Sequence, residues 1–73
     1  MRRWVITGAS GHIGNNLVRL LNAERQEDEV IALLRRPAGQ ELAGTHCRMA
    51  VGQLDDEAFL RSVIRAGDVV VHL

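Results

Sequence analysis

The segment Thr7-Gly8-Ala9-Ser10-Gly11-His12-Ile13-Gly14 follows directly on the apolar run Trp4-Val5-Ile6. A β-type run, three glycines spaced by three and an amphipathic stretch together describe a strand, a tight turn and a helix. Gly8 takes the backbone angles needed to leave the strand sharply. Gly11 lets the main chain approach an anion with no Cβ in between, and Gly14 lets the helix pack closely on the sheet. The N–H groups of the first helical turn, at the positive end of the helix dipole, then face that anion. The pattern predicts a phosphate-binding turn built from Gly8, Ser10, Gly11, His12, Ile13 and Gly14.

The rest of the chain spells out what surrounds that turn. Residues 3–7 read as the first strand. From about 12 to 25, Ile13, Leu17, Leu20 and Leu21 recur on one face of a helix, with Asn15, Asn16, Arg19 and Glu24 mostly opposite. Glu29 to Leu34 (EVIALL) is the near-continuous apolar run expected of a strand covered on both sides. Arg35-Arg36-Pro37 ends it, and Pro37, Gly39 and Gly44 mark a loop in which Gln40 to Ala43 has room for one turn. Cys47 to Val51 reads as a third strand. Asp55 is the expected cap of a second helix, with Asp56 and Glu57 in its first turn, a buried stripe of Phe59, Leu60, Val63 and Ile64, and Gly67 as its stop. Asp68 to Leu73 reads as a fourth strand.

The order β-α-β-loop-β-α-β implies an α/β fold with a parallel sheet and right-handed crossovers. The expected strand order is 3-2-1-4, with crossover helices on both faces, as in the first part of a doubly wound dinucleotide fold. Seventy-three residues make at most one small domain. Chains of about 60 residues bury only roughly 60% of their unfolded surface, so modest stability is expected.

Composition removes several function classes. Nine Arg balance nine Asp and Glu, so no net field draws the chain to nucleic acid or to a membrane surface. The apolar runs fall far short of a membrane span, and a cytoplasmic location is the default expectation. A single Cys47 excludes an internal disulfide and offers no metal-ligand spacing. The chain contains no Tyr and no Lys, so it cannot itself use a tyrosine acid/base or a lysine that lowers its pKa.

With these residues in view, TGASGHIG resembles the TGxxGxxG fingerprint of short-chain dehydrogenases/reductases. The match is to their extended and atypical branch, which includes nucleotide-sugar epimerases, dehydratases and dihydroflavonol-reductase-like enzymes. Ser10 separates Ala9 from Gly11, a departure from G-x-G-x-x-G that is the rule in this family. Three further segments share the resemblance: EVIALLRRP with the second strand and ribose loop, GQLDD with the GDLxD segment bordering the adenine, and VVVHL with the fourth strand. The resemblance spans the whole chain and makes residues 1–73 the leading, incomplete part of an NAD(P)-binding Rossmann domain.

It implies an NAD(P) cofactor. NAD-preferring members carry an acid at the end of the second strand, where this chain has Arg35 and Arg36. Guanidinium groups there suit a ribose 2′-phosphate through bidentate, charge-assisted hydrogen bonds, so NADP is favoured over NAD. Gln53 stands where the family has Asp; its amide oxygen can still accept from the adenine amino group, with Leu54 beside it. The family's catalytic Ser/Thr and YxxxK pair have no counterpart in these residues. The resemblance thus implies the cofactor-binding segment of an epimerase/dehydratase- or reductase-type oxidoreductase, not catalytic alone. The alternative is a non-catalytic module of the atypical branch that senses NADP(H) or binds a partner; a YxxxK pair elsewhere in the protein would favour the enzyme. Substrate and oligomeric state are left open.

Simpler roles account for other conspicuous residues. Asp55 and Asp56 suit helix capping better than metal or acid/base work. His46 and His72 have no second ligand nearby in sequence. Cys47 reads as a small buried residue, and Trp4 as core or as packed against a neighbouring domain.

Overall fold

A computed structural model of the chain describes residues 1–37 and 39–73; the loop expected after Pro37 lies, at residue 38, outside the described residues. The elements are β1 (Arg3–Thr7), α1 (His12–Glu24), β2 (Glu29–Leu34), β3 (Arg48–Val51), α2 (Glu57–Val63) and β4 (Val69–Val71). They form a four-stranded sheet of order β3-β2-β1-β4 in which every pairing is parallel. The α/β architecture and strand order are those expected from the sequence.

Alternation along the strands sends side chains to two cores. Val30, Ala32 and Leu34 of β2 join Ile6, Val18, Leu21 and Leu42 on the α1 side. Ile31 and Leu33 join Val5 and Val63 on the other side, where Phe59, Leu60 and Ile64 of α2 and its end pack. Helices therefore cover both faces, which explains why β2 is apolar at almost every position. At the opposite end of the sheet, Trp4 rests on the α1-side core and its indole Nε1–H donates to Asp28 Oδ2 at 2.9 Å.

Several boundaries differ from the sequence expectation. Gly14, Val18 and Leu21 form the inner face of α1, while Ile13 and Leu20 are 70% and 57% exposed. The cause is Gly14: a Cβ there would fall on the Gly8 carbonyl oxygen and 2.8 Å from Ala9 Cα. Close approach at that glycine, rather than the bulk of the leucines, sets which face turns inward. The third strand begins at Arg48, one residue after Cys47, which packs at the edge of the α1-side core. Met49 and Val51 pair with Ala32 and Leu34, so they point to the α1 side, and both are exposed. Among the described residues between β2 and β3, the chain turns near Gln40 to Gly44, and this segment contributes Leu42 to the core.

The cap of α2 is Asp56, not Asp55. Asp56 N–H bonds to Gln53 O at 3.1 Å, which closes a turn containing Asp55. Asp56 is then the last extended residue, and its Oδ1 accepts from Phe59 N–H at 3.1 Å. Nor is Gly67 the stop of this helix, which ends at Val63 with Ile64 already extended. Gly67 instead supplies φ +90° to a turn closed by Asp68 N–H to Arg65 O at 3.1 Å and Arg65 N–H to Asp68 Oδ2 at 2.8 Å. Asp68 is spent on that turn and on an ion pair with Arg3, so β4 starts at Val69 and its ladder ends at Val71.

Candidate functional site

In a parallel sheet every strand points the same way, so the loops after β1, β2, β3 and β4 gather at one edge. The glycine turn leaves β1 there. Gly8 has φ +64°, and a Cβ on it would sit 3.2 Å from Leu73 O, so the turn is pressed against the end of β4. Gly11 N–H bonds back to Gly8 O at 3.0 Å, and Gly11 is the N-cap of α1. The first helical bond is Asn15 N–H to Gly11 O at 2.8 Å, which leaves the amides of His12, Ile13 and Gly14 without partners inside the helix. No side chain caps this terminus and its first turn holds no acid. Open donors at a dipole's positive end, with no carboxylate in competition, fit an anion.

Beside this turn lies a cleft of about 620 Å³. Of the ten residues expected at the site, Gly8, Ser10, Arg35, Arg36, Gln53 and Leu54 line it together. Ser10 also borders a neighbouring hollow with Gly11, His12, Asn15, Arg19 and Glu41. There Arg19 donates to Asn15 Oδ1 at 2.9 Å and to Glu41 O at 2.8 Å, and Asn15 Nδ2 also donates to Glu41 O, tying the β2–β3 loop to α1. Ile13 and Gly14 line neither space. Ile13 projects from the helix and Gly14 is buried beneath the turn, so only their backbone amides are left as candidates for a contact there.

Arg35 and Arg36 follow β2 immediately and are exposed. The ion pairs of the described residues engage Arg3, Arg25, Arg48 and Arg61, whereas neither Arg35 nor Arg36 meets a carboxylate. Two unpaired guanidinium groups thus stand on a cleft that the glycine turn also opens into.

Sequence reasoning missed Leu33, Leu34, Asp55, His72 and Leu73, which line the same cleft. The signal for His72 and Leu73 was topological. Ligands of open α/β sheets sit outside the carboxyl ends of strands, and the order 3-2-1-4 places the end of β4 beside that of β1. His72, isolated from other polar residues along the chain, is in fact 2.8 Å from Thr7 Oγ1 through Nδ1. Among the described residues no cluster of three His, Cys, Asp or Glu side chains is arranged to hold a metal, and no helix is long and apolar enough to cross a membrane.

The fold and this edge define a Rossmann-type dinucleotide-binding architecture. The profile of the NAD dependent epimerase/dehydratase family matches residues 4–73, and the chain belongs to that family. It is similar to a short-chain dehydrogenase/reductase superfamily protein from Agrobacterium tumefaciens crystallised with bound NAD. That similarity has a TM-score of 0.73 and 29% identity, covering 99% of this chain and 20% of the other. A Rossmann-fold NAD(P)-binding family protein from Shigella flexneri shares the fold with a TM-score of 0.77 at 19% identity, over 100% of this chain and 37% of that one. No curated protein sequence matches. The chain therefore spans about a fifth to a little over a third of the solved structures it resembles.

Proposed function

We propose that this chain is the dinucleotide-holding segment of an extended or atypical short-chain dehydrogenase/reductase, that it prefers NADP(H), and that it catalyses nothing alone. The observation that carries the reading is the cleft joining the glycine turn to Arg35 and Arg36, neither of which forms an ion pair among the described residues, although Asp55 shares the lining.

In this reading the amides of His12, Ile13 and Gly14 hold the pyrophosphate, with Gly8, Ser10 and Gly11 allowing its approach. Arg35 and Arg36, one strand away, take the ribose 2′-phosphate through charge-assisted hydrogen bonds. Gln53 and Leu54, at the end of β3, border the adenine. When bound, the nicotinamide supplies hydride-transfer chemistry; these residues bind and orient. The chain holds neither the tyrosine nor the lysine of the family's proton transfer.

The test is a parallel titration with NADPH and NADH, followed by the emission of the reduced nicotinamide. Saturable binding of both is expected, with NADPH tighter by about tenfold or more from the charge-assisted bonds to its extra phosphate. Equal affinities would remove Arg35 and Arg36 from the site. Absence of saturable binding would sink the cofactor reading altogether.

A further inference from the structure

A polar pair at the mouth of the cleft has no part in the phosphate and adenosine contacts above. The β1–β4 ladder ends at the pair Ile6 and Val71. One residue further on, a single side chain joins the strands: Thr7 Oγ1 accepts from Leu73 N–H at 3.0 Å and lies 2.8 Å from His72 Nδ1. Thr7 is only 5% exposed, so its hydroxyl proton needs an acceptor within the protein. A hydroxyl carries one proton to donate and two lone pairs. With one lone pair given to the Leu73 amide, donation to His72 Nδ1 satisfies every group. The reverse arrangement, with Nδ1–H donating, strands the Thr7 proton without a partner among the described residues. In that arrangement the ring proton of His72 sits on Nε2.

The ring itself is exposed and lines the cleft with Gly8, Ser10 and Leu73. Its Nε2 has no protein partner among the described residues. Strand order fixes which part of a dinucleotide comes near it. Arg35 and Arg36 follow β2, the glycine turn follows β1, and His72 follows β4 on the far side of that turn. A dinucleotide with its adenosine over β2 and its pyrophosphate over β1 carries its other nucleoside half toward β4.

We propose that Thr7 sets the tautomer of His72, and that His72 Nε2–H donates a hydrogen bond to an oxygen of the nicotinamide half of the cofactor. This rests on the cofactor reading above and adds a contact on the other side of the glycine turn. His72 is the binding residue and Thr7 the positioning one.

The experiment compares two probes on the full chain. NADPH contains both halves, whereas adenosine 2′,5′-bisphosphate lacks the nicotinamide half. His72→Asn keeps an acceptor near the Nδ1 position for Thr7 but has no group that reaches as far as Nε2. It should weaken NADPH about tenfold and leave the bisphosphate unchanged. His72→Gln, which can place a donor near the Nε2 position, should recover part of the loss. The ring nitrogen resonances should report Nε2–H in the wild type, and in Thr7→Ser, which retains the hydroxyl, and a shift toward the other tautomer in Thr7→Val.

Unchanged NADPH binding in His72→Asn, equal weakening of both probes, or a ring protonated on Nδ1 would overturn the proposal. A chain that binds neither probe overturns the cofactor reading and this one with it. A chain that binds both, with His72→Asn unaffected, overturns this one alone.

Discussion

Helix α1 begins at Gly11 with no side chain on its first-turn amides, whereas α2 begins at Asp56, whose carboxylate accepts the Phe59 N–H at 3.1 Å. Both helices start at the same edge of the sheet, after β1 and after β3. In α2, Glu57 adds a charge to the first turn and pairs with Arg61, so one first-turn amide is capped and the dipole is met by acids from within the chain. In α1 the same donors are left for something outside it. A glycine cap gives up only about a few tenths of a kcal/mol relative to Ser, Asn or Asp, so an open terminus costs the fold little. The contrast separates a helix end that serves structure from one that fits a ligand.

The largest effect expected from breaking that contrast is at Gly14. Gly14→Ala would drive a Cβ into the backbone of Gly8 and Ala9, which has no flexible side chain to yield. It should destabilise the chain by about 3 kcal/mol, at the upper end of overpacking costs, and remove cofactor binding. Urea unfolding and the NADPH titration check the two halves of that statement.

Gly11→Asp would make α1 resemble α2. A carboxylate at this cap competes for the open amides and repels a pyrophosphate, so NADPH affinity should fall at least about tenfold. Because a Cβ at Gly11 would sit 3.3 Å from Gly8 O, little gain in stability is expected from the new cap. Isothermal titration of the variant decides it; undiminished binding would mean that the amides of α1 do not hold the anion.

Asp56→Ala makes the converse change. It should cost about 1 kcal/mol of stability in a urea melt and leave the NADPH affinity unaltered, because the lost bond is structural.

The last prediction is read through pH and concerns the amino-terminal edge of the sheet, remote from both helix starts. Asp28 accepts from Trp4 Nε1–H, from Arg2 N–H and from Arg25 Nε, and lies beside the Arg25 charge. Led by the Trp4 bond, these hold its carboxyl well below the usual range, against the opposing effect of burial. The unfolded carboxyl, near its ordinary 3.8, binds a proton more tightly than the folded one. The contribution of Asp28 is therefore present above about pH 4 and is lost as the pH falls below it. Acid unfolding of Asp28→Asn, compared with wild type, should show a shallower decline in stability below about pH 4, and parallel declines would remove Asp28 from the account.

Much of this architecture was legible from the sequence because its signals are local or periodic. The glycine turn, the unbroken apolar β2 and the Phe59, Leu60, Val63 and Ile64 stripe each name an element and its buried side. Six of the ten expected site residues line one cleft. What escaped depended on approach between elements. Which face of α1 turns inward was set by the fit of Gly14 beneath Gly8; side-chain hydrophobicity named Leu17 and Leu21 rightly, but also Ile13 and Leu20, which face out. The α2 cap shifted from Asp55 to Asp56 because a turn closed at Gln53 first. Thr7 and His72 are separated by 65 positions in the chain, and only the β1–β4 pairing makes them neighbours.

The most direct test of the open-terminus account is a backbone amide titration of the uniformly ¹⁵N-labelled chain with NADPH, read residue by residue. Saturable shifts are expected at the amides of Gly11, His12, Ile13 and Gly14, while those of Glu57 and Phe59 at the start of α2 stay in place. Shifts of equal size at both helix starts, or none at α1 while NADPH binds, would contradict it.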